Sequence, residues 1–421
     1  MSVALAADSR LDRPCADASA TGPGILLDLS RLLSRVAHPT PTGVDRVEMA
    51  YAMGLQRLAP ERLAFVACHP AGWHGRLPRS AALDFLHLTA ERWEKHGQTE
   101  TLTTRWRRAA EACLALTPRP TAKPGLQPQA YLHLSSRGLE RRSMLARCLR
   151  REHARFIPFI HDLIPLEHPE YARPRGAALF ARKLAVATDL AAGALCNSEA
   201  TARALTSYLA ARDRSMPICA LGLGASFQAA SPQPTAPFSR PYFVALGTIE
   251  PRKNHLMLLH IWRRLIEQLG PERTPQLLLV GRRGWENEMV LDLLDRTPSF
   301  KGVVRELSRV PDQALRTLLP QARAVLIPSF AEGFGLPVVE ALAMGAPVVA
   351  SDLPALREAG GGAPDYLDPL DGAAWIEAIQ AYADPQSPRR PAQLQRLRAW
   401  RPPTWDGHLW RALDFIDEVC R

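Results

Sequence analysis

No apolar stretch of the sequence approaches the roughly 20 residues that a helix needs to cross a bilayer. Residues 1–23 carry three aspartates and lack the basic segment followed by an apolar one that marks a secretory signal peptide. We therefore expect a cytoplasmic protein, either free or at the cytoplasmic face of the inner membrane. We also expect residues 1–23 to form a disordered or irregular tail.

Cysteine is scarce and scattered. The seven cysteines include no Cys-x-x-Cys pair, which argues against both a zinc site and a disulfide framework. A reducing compartment fits this usage best.

The sequence also has no Gly-x-Gly-x-x-Gly segment after its first predicted strand, where a nicotinamide-binding domain carries its phosphate loop. The first turn between a strand and a helix holds Thr42-Gly43-Val44 instead. A nicotinamide-dependent oxidoreductase is therefore a poor interpretation, although doubly wound sheets serve both classes.

Acidic charge is deficient in the first half of the chain alone. Residues 1–230 hold 30 lysines and arginines against 20 aspartates and glutamates, whereas the remaining residues are balanced. The surplus predicts that the first half faces an anionic partner: a phospholipid surface, a pyrophosphate-linked acceptor or nucleic acid.

Strand-like and helix-like segments alternate along the whole chain, which favours parallel α/β sheets. In the first half, strand-like runs lie at 24–30, 63–68, 130–134, 156–160 and 193–196, and helix-like stretches at 44–58, 138–155 and 177–191. In the second half, strand-like runs lie at 242–246, 276–280, 324–327 and 347–350, and helix-like stretches at 254–269, 286–294, 336–344 and 405–420.

A proline-rich segment with few large apolar residues, 228–241, interrupts the alternation and is typical of an interdomain linker. The prediction is two Rossmann-like domains, 24–227 and 242–402, followed by a terminal segment at 403–421. Ligands of such sheets bind outside the carboxyl ends of the strands, so we expect the functional site in the cleft between the domains.

The segment 328–340 carries the clearest chemical pattern: a strand end, a loop with two glycines, and a helix beginning near Leu336. Gly333 and Gly335 allow close approach of a ligand, and a helix N-terminus favours phosphate. Glu340 lies eight residues beyond Glu332 and one turn into the helix, where it could bind a hydroxyl group. A capped amphipathic helix with surface glutamates explains the same spacing equally well.

This segment resembles the Glu-x7-Glu signature of the retaining glycosyltransferases of family 4, which have the GT-B fold. Further segments that resemble the family follow in its order over about residues 25–415; they lie at 159–165, 168–170, 197–201, 246–255, 280–285 and 351–358. The resemblance implies two Rossmann-like domains, an interdomain cleft and a C-terminal helix that crosses back onto the N-terminal domain.

The resemblance also implies roles for residues of the second domain. Arg252 and Lys253 match the basic pair that neutralises the donor pyrophosphate. Glu332 matches the carboxylate that contacts the transferred sugar, and Glu340 the one that binds the ribose hydroxyls. Further predicted donor-binding residues are Gly333, Phe334, Gly335, Leu336 and Arg283.

In the first domain the resemblance favours contact of His161 with the sugar at the reaction centre. Asp162 could orient the imidazole or cap the next segment. Gly43 allows close approach of donor or acceptor, and Arg46 could meet an acceptor phosphate or be a solvated helix residue. We therefore predict His161, Glu332, Arg252 and Lys253 as catalytic, and Gly43, Arg46 and Asp162 as acceptor-binding.

Basic residues concentrate at 137–155 with leucines between them, and this pattern could be an amphipathic helix on an anionic membrane. A solvated cationic face explains the same pattern. We expect peripheral membrane association through the N-terminal domain and no binding of nucleic acid.

The family resemblance implies transfer with retention, without a cofactor or a metal, and the chain lacks the Asp-x-Asp motif of metal-dependent transferases. The expected reaction moves a hexose from a nucleotide sugar to a saccharide or lipid-linked saccharide in bacterial polysaccharide or lipopolysaccharide assembly. The resemblance favours GDP-mannose slightly over a UDP-sugar. A catalytically degenerate donor-binding regulator and a basic membrane- or nucleic-acid-binding protein remain as alternatives.

Overall fold

The computed structural model of the protein describes residues 22–38, 40–69, 71–95, 102–119, 128–225, 238 and 240–421. Nearly all of the predicted tail and most of the predicted linker lie outside these residues.

The first domain is built on a seven-stranded sheet within the described residues, in the spatial order β3-β2-β1-β4-β5-β6-β7. Its strands are β1 (Ile25–Asp28), β2 (Leu63–Cys68), β3 (His74–Arg76), β4 (Gln129–His133), β5 (Ala154–Ile160), β6 (Ala194–Cys196) and β7 (Ile218–Ala220). All neighbours pair in parallel except β2 and β3, which form a hairpin.

Helices connect the strands of this sheet and pack against it. They are α1 (Ser30–Ser34), α2 (Gly43–Leu58), α3 (Arg79–Lys95), α4 (Leu102–Ala115), α5 (Arg142–Glu152), α6 (Ile164–Glu167), α7 (Gly176–Leu190) and α8 (Glu199–Ala210).

The second domain holds a six-stranded parallel sheet among the residues described, in the order β10-β9-β8-β11-β12-β13. Its strands are β8 (Tyr242–Leu246), β9 (Gln276–Val280), β10 (Val304–Leu307), β11 (Val325–Ile327), β12 (Val348–Ser351) and β13 (Asp365–Leu367). The remaining helices are α9 (His255–Leu269), α10 (Glu288–Arg296), α11 (Asp312–Gln321), α12 (Leu336–Ala343), α13 (Pro354–Gly360), α14 (Gly372–Ala383), α15 (Arg389–Ala399) and α16 (Trp405–Cys420).

Side-chain caps fix the start of the two first-domain helices nearest the cleft. Thr42 and Asp45 form a reciprocal capping box at α2, and Ser198 accepts a hydrogen bond from the Thr201 N–H at α8. Such caps satisfy N–H groups that the helix itself leaves unpaired. The first-domain side of the cleft therefore carries two helix starts with defined geometry.

The helix predicted over 138–155 is shorter in the structure, because α5 ends at Glu152. His153 adopts the left-handed conformation (φ 48°) that closes many helices, and β5 begins at Ala154. Arg155 therefore lies on a strand paired with β4 rather than on a basic helix.

The C-terminal helix α16 crosses back and packs on α2, β4 and β5 of the first domain, as expected from the GT-B resemblance. Leu409 and Ile416 are fully buried, and Gly54 of α2 leaves the space that the Leu409 side chain fills. The buried Tyr51 hydroxyl lies 2.7 Å from His408 Nε2, and His408 Nδ1 lies 2.9 Å from the carbonyl oxygen of Gly222.

No helix in the described part of the chain combines the length and the apolar character needed to cross a membrane.

Candidate active site in the cleft between the domains

The carboxyl ends of the two sheets face each other across a cavity of about 480 Å³. One wall comes from the ends of β1, β5 and β6 and the start of α2. The other wall comes from the ends of β8 and β9 and the loop before α12. The cavity thus lies where open α/β sheets bind ligands.

Three charged side chains of the second domain converge in this cavity. Lys253 Nζ lies 2.5 Å from Glu332 Oε1, and Arg252 donates a hydrogen bond of 2.8 Å to Glu332 Oε2. Burial by itself raises the pKa of the Glu332 carboxyl, but Lys253 and Arg252 outweigh it and lower that pKa to about 2. Glu332 is therefore an ionised acceptor of hydrogen bonds at every physiological pH.

Glu250 is a buried carboxylate to which the sequence analysis assigned no role. Its Oε1 lies 2.7 Å from Arg252 Nε, while Arg252 Nη1 also bonds to the Ala331 carbonyl oxygen at 2.9 Å. These contacts anchor the guanidinium at both ends, so Arg252 presents its charge to the cavity in a fixed position.

The start of α12 forms the floor beside these charges. Gly335, in the left-handed conformation at φ 110°, precedes Leu336, so the loop turns sharply into a helix whose first N–H groups lack partners within it, and residues 333–336 line the cavity. Gly43 of the other domain faces this turn, because a Cβ at Gly43 would lie 4.0 Å from the Leu336 side chain. The predicted glycines therefore lie on the cavity wall where the two domains approach each other.

Glu340 lies one turn into α12 and is 4% exposed. Burial raises the pKa of its carboxyl to about 7, against the opposing effect of Arg46. Glu340 Oε1 accepts no hydrogen bond from the described residues, although Arg46 Nε is 3.6 Å away. A carboxylate oxygen left unpaired beside a cavity suits a ligand hydroxyl.

Arg46 lines the cavity, but its guanidinium is committed to the second domain. It donates hydrogen bonds of 2.8 and 2.6 Å to the two carboxylate oxygens of Asp312. The acceptor-phosphate contact stays a prediction: in this structure Arg46 bridges the domains while it lines the cavity, and it is not a solvated helix residue.

His161 follows β5 and lies on the first-domain wall. Its Nε2 lies 2.8 Å from the Leu134 carbonyl oxygen, which can only accept, so Nε2 carries the proton and Nδ1 is the acceptor. Burial lowers the pKa of His161 to about 4, which keeps the ring neutral. Asp162 accepts from the Ile164 N–H at 3.2 Å, as in the alternative that it caps the next segment.

The two walls touch at Gly333. A Cβ at this position would overlap the carbonyl oxygen of His161, so glycine permits contact between the two backbones. Ser198, which caps α8, also donates a hydrogen bond of 2.6 Å to the Gly333 carbonyl oxygen. The loop before α12 is therefore fastened to the first domain.

Arg283 lies outside the cavity, contrary to the prediction that it binds the donor. It is exposed and paired with Asp295 and Glu306, whereas its neighbour Arg282 lines the cavity. Successive residues after a strand point in opposite directions, and the sequence did not determine which arginine faces inward.

Trp285 and Arg31 are among the cavity residues that had no predicted role. Trp285 donates from its indole nitrogen to the Tyr171 carbonyl oxygen at 3.2 Å, across the mouth of the cleft. Arg31 bonds to Asp45 at 2.7 Å and so lies beside the start of α2.

Helix α5 does not have the exposed apolar face that the amphipathic membrane helix predicted over 137–155 requires. The apolar residues of α5 that would enter a membrane, Leu145 and Leu149, are buried against the sheet, whereas Arg142, Arg147 and Arg150 face solvent. The helix thus offers a cationic surface without an apolar one.

No group of three or more His, Cys, Asp or Glu side chains that could hold a metal ion occurs in the part of the chain described.

Residues 240–384 match the family model described as "Glycosyl transferases group 1". The O-antigen chain mannosyltransferase B of Escherichia coli is 38% identical over 181 residues, which are 42% of this chain and 43% of that protein. The O-antigen chain mannosyltransferase RfbU of Salmonella typhimurium is 31% identical over 142 residues, 33% of this chain and 37% of that protein. The chain spans less than half the length of these curated relatives.

Solved structures resemble the chain over nearly its whole length. The sucrose-phosphate synthase of Thermosynechococcus elongatus superposes with a TM-score of 0.58 at 16% identity, covering 94% of this chain and 99% of that one. Anabaena HepE in complex with UDP has a TM-score of 0.57 at 16% identity, covering 93% and 99%. The chain therefore has the GT-B fold, and residues 240–384 of its second domain match the group 1 glycosyltransferase model.

Proposed function

We propose that the protein is a retaining, metal-independent hexosyltransferase that uses a nucleotide-sugar donor. The observation that carries this proposal is the convergence of Arg252, Lys253 and Glu332 at the start of α12, with Glu340 one turn further on. Two cations and a helix N-terminus suit a diphosphate, and two carboxylates suit the hydroxyl groups on either side of it.

The chemistry that these groups support is departure of a nucleoside diphosphate from the anomeric carbon. As that bond breaks, negative charge develops on the β-phosphate. Arg252, Lys253 and the N–H groups at the start of α12 stabilise this charge from fixed positions, which is electrostatic catalysis of the oxyanion-hole kind. Glu332, held ionised by both cations, accepts hydrogen bonds from the transferred sugar.

Retention follows in this proposal from attack on the face that the diphosphate leaves. The departing phosphate oxygen takes the proton of the acceptor hydroxyl, so we assign no protein nucleophile. His161, neutral and with Nδ1 as an acceptor, contributes a hydrogen bond from a sugar hydroxyl rather than a charge.

Mannose is the favoured sugar, and GDP-mannose the favoured donor over a UDP-sugar. The names of the two O-antigen mannosyltransferases support mannose as the transferred sugar. A structural neighbour in complex with UDP supports a UDP-sugar as the second candidate donor. The same names support a role in bacterial surface polysaccharide assembly. The acceptor in this proposal is a saccharide or a lipid-linked saccharide.

The excess positive charge of residues 1–230 supports an anionic partner for the first domain, such as a pyrophosphate-linked acceptor at the inner membrane. Arg142, Arg147 and Arg150, exposed on α5, offer an electrostatic contact with anionic lipid, without insertion of apolar side chains.

A thermal-shift panel of GDP, UDP, dTDP, ADP, CMP and their common sugar conjugates tests the donor site. A ligand at 100 times its Kd stabilises by about 2.7 kcal/mol, which is a readable shift. We expect a response to one base that is lost in Lys253→Ala and retained in Arg283→Ala, the outward-facing control. Product analysis with the responding donor and a saccharide acceptor then tests transfer and retention, in EDTA for metal independence. If no ligand of the panel raises the melting temperature of the wild-type protein, the result contradicts the proposal.

A further inference from the structure

Asn197 is a cleft residue to which neither the sequence patterns nor the proposed chemistry assigns a role. It directly follows β6, whose Cys196 pairs with Ile160 of β5. Because Ile160 precedes His161, Asn197 and His161 lie side by side at the edge where the two strands end. Both residues line the cavity.

The side-chain oxygen of Asn197 is buried and has no hydrogen-bond partner among the described residues. The residue is 4% exposed, and its Oδ1 accepts no hydrogen bond among the described residues. Buried side-chain oxygens in folded proteins nearly always have a partner, so an unpaired one at a cavity wall indicates a place for a ligand atom.

The position of this amide is rigid. The next residue, Ser198, caps α8 through the Thr201 N–H at 2.9 Å and donates to the Gly333 carbonyl oxygen at 2.6 Å. Asn197 is thereby held directly opposite the loop that carries Glu332, and it has little freedom to turn elsewhere for a partner.

The chemistry of the Asn197 carboxamide indicates which kind of ligand group it suits. An amide is uncharged and offers both a donor and an acceptor, which matches a hydroxyl group better than a phosphate. The neutral Nδ1 of His161 beside it also suits a hydroxyl, whereas the cations that suit phosphate, Arg252 and Lys253, belong to the opposite wall.

We propose that Asn197 binds a ring hydroxyl of the transferred sugar, so that both domains contact the sugar: Asn197 and His161 from the first and Glu332 from the second. This inference rests on the proposed function. It adds a sugar-recognition residue on the first-domain wall, and it predicts that Asn197 affects binding of the nucleotide sugar but not of the nucleoside diphosphate alone.

Calorimetric titration with a nucleoside diphosphate and with its sugar conjugate separates these contributions. We expect Asn197→Ala to lower affinity for the nucleotide sugar about tenfold, the effect of one well-formed hydrogen bond, and to leave affinity for the nucleoside diphosphate unchanged. The unchanged diphosphate affinity also demonstrates that the variant is folded. Asn197→Asp, which keeps the size but adds charge, provides a second variant.

Donors lacking single hydroxyls identify the partner. One deoxy donor should bind the wild-type protein about tenfold more weakly than the parent sugar, and Asn197→Ala should bind both equally. Ser351→Ala is the matched control, because Ser351 also has a buried hydroxyl without a partner among the described residues but does not line the cavity. It should behave as the wild type.

Three outcomes overturn the inference, and they are distinguishable. If the variants keep wild-type affinity for the nucleotide sugar, Asn197 does not bind the sugar, and the proposed function stands. If Asn197→Ala and Asn197→Asp weaken the diphosphate as much as the conjugate, the residue supports the cleft as a whole. If the wild-type protein binds neither ligand, the proposed function fails, and the role of Asn197 fails with it.

Discussion

Arg46 of the first domain forms two hydrogen bonds with Asp312 of the second, and its Nε lies 3.6 Å from Oε1 of Glu340. The carboxylate assigned to the ribose in our proposal is therefore already in contact with the opposite domain. Because Arg46 and Asp312 belong to different domains, this ion pair joins the two walls of the cavity beside Glu340.

Removal of Arg46 should destabilise the closed structure. Arg46→Ala leaves the carboxylates of Asp312 and Glu340 near each other without a cation, and breaking a largely buried pair costs about 2–4 kcal/mol. Urea denaturation provides the measurement. Arg57→Ala is the control, because Arg57 pairs with Asp406 at the exposed surface, where such pairs contribute less than about 1 kcal/mol. Equal losses in the two variants would contradict a structural role for the interdomain pair.

Donor binding should depend on pH through Glu340. Its raised pKa of about 7 favours the protonated form in the free protein, so the stability it contributes is present below the ordinary carboxyl pKa and is lost as pH rises through 7. If the ribose hydroxyls bind the ionised form, affinity for a nucleotide sugar rises about tenfold from pH 6 to pH 8.

Glu340→Gln tests this linkage, because glutamine keeps the shape of the side chain and cannot ionise. Titrations of the nucleotide sugar, whose diphosphate does not change charge in this range, should show a flat profile for the variant. A wild-type profile that is equally flat would mean that Glu340 is ionised throughout or does not meet the donor.

The contact between Tyr51 and His408 fastens α16 to the first domain. His408 Nδ1 must donate to the Gly222 carbonyl, so Nε2 accepts from the Tyr51 hydroxyl. Tyr51→Phe leaves that buried nitrogen unpaired and should cost about 1–3 kcal/mol in free energy of unfolding.

A second substitution distinguishes the contribution of the hydrogen bond to the free energy of unfolding from the contribution of packing. His408→Leu and the double variant with Tyr51→Phe complete a cycle with the single variants. His408→Leu also removes the donor to the Gly222 carbonyl and so carries its own loss, but the double variant should lose less than the sum of the two single losses. If instead the two losses add, the hydrogen bond does not stabilise the docked helix.

Much of the fold could be predicted from local patterns, since apolar strands alternate with amphipathic helices. Nine of the parallel strands in the described residues were predicted to within two residues at their ends, whereas the short parallel strands β7, β10 and β13 were missed. The hairpin strand β3 was missed because His74–Arg76 is too short and too polar to show a strand pattern. Helix α5 was extended too far because its basic sequence continues into β5 without a break in composition.

The same distinction holds for the site: residues marked by their own segment could be predicted, whereas contacts between distant segments could not. Arg252, Lys253, Glu332 and Glu340 lie at strand ends and a helix start, which their own segments reveal, and the structure brings them to one cavity. Asp312, the partner of Arg46, lies 266 residues away in the sequence, so the residues near Arg46 could not indicate this ion pair. Roles in binding and catalysis stay predictions for all of these residues.

Glycine at position 333 should be required for the two walls to meet. A Cβ there overlaps the backbone carbonyl of His161, which cannot rotate away as a side chain could, so Gly333→Ala must separate the domains or displace the loop. Because a shift of about 1 Å can cost a hundredfold in rate, we expect kcat/KM to fall about that much while the protein remains folded. Gly372→Ala is the control, since a Cβ at this helix start meets nothing within 4 Å. Circular dichroism checks the fold, and small-angle scattering compares the closure of the domains. Wild-type activity in Gly333→Ala would show that the closed arrangement of His161 and Gly333 is not the reactive one.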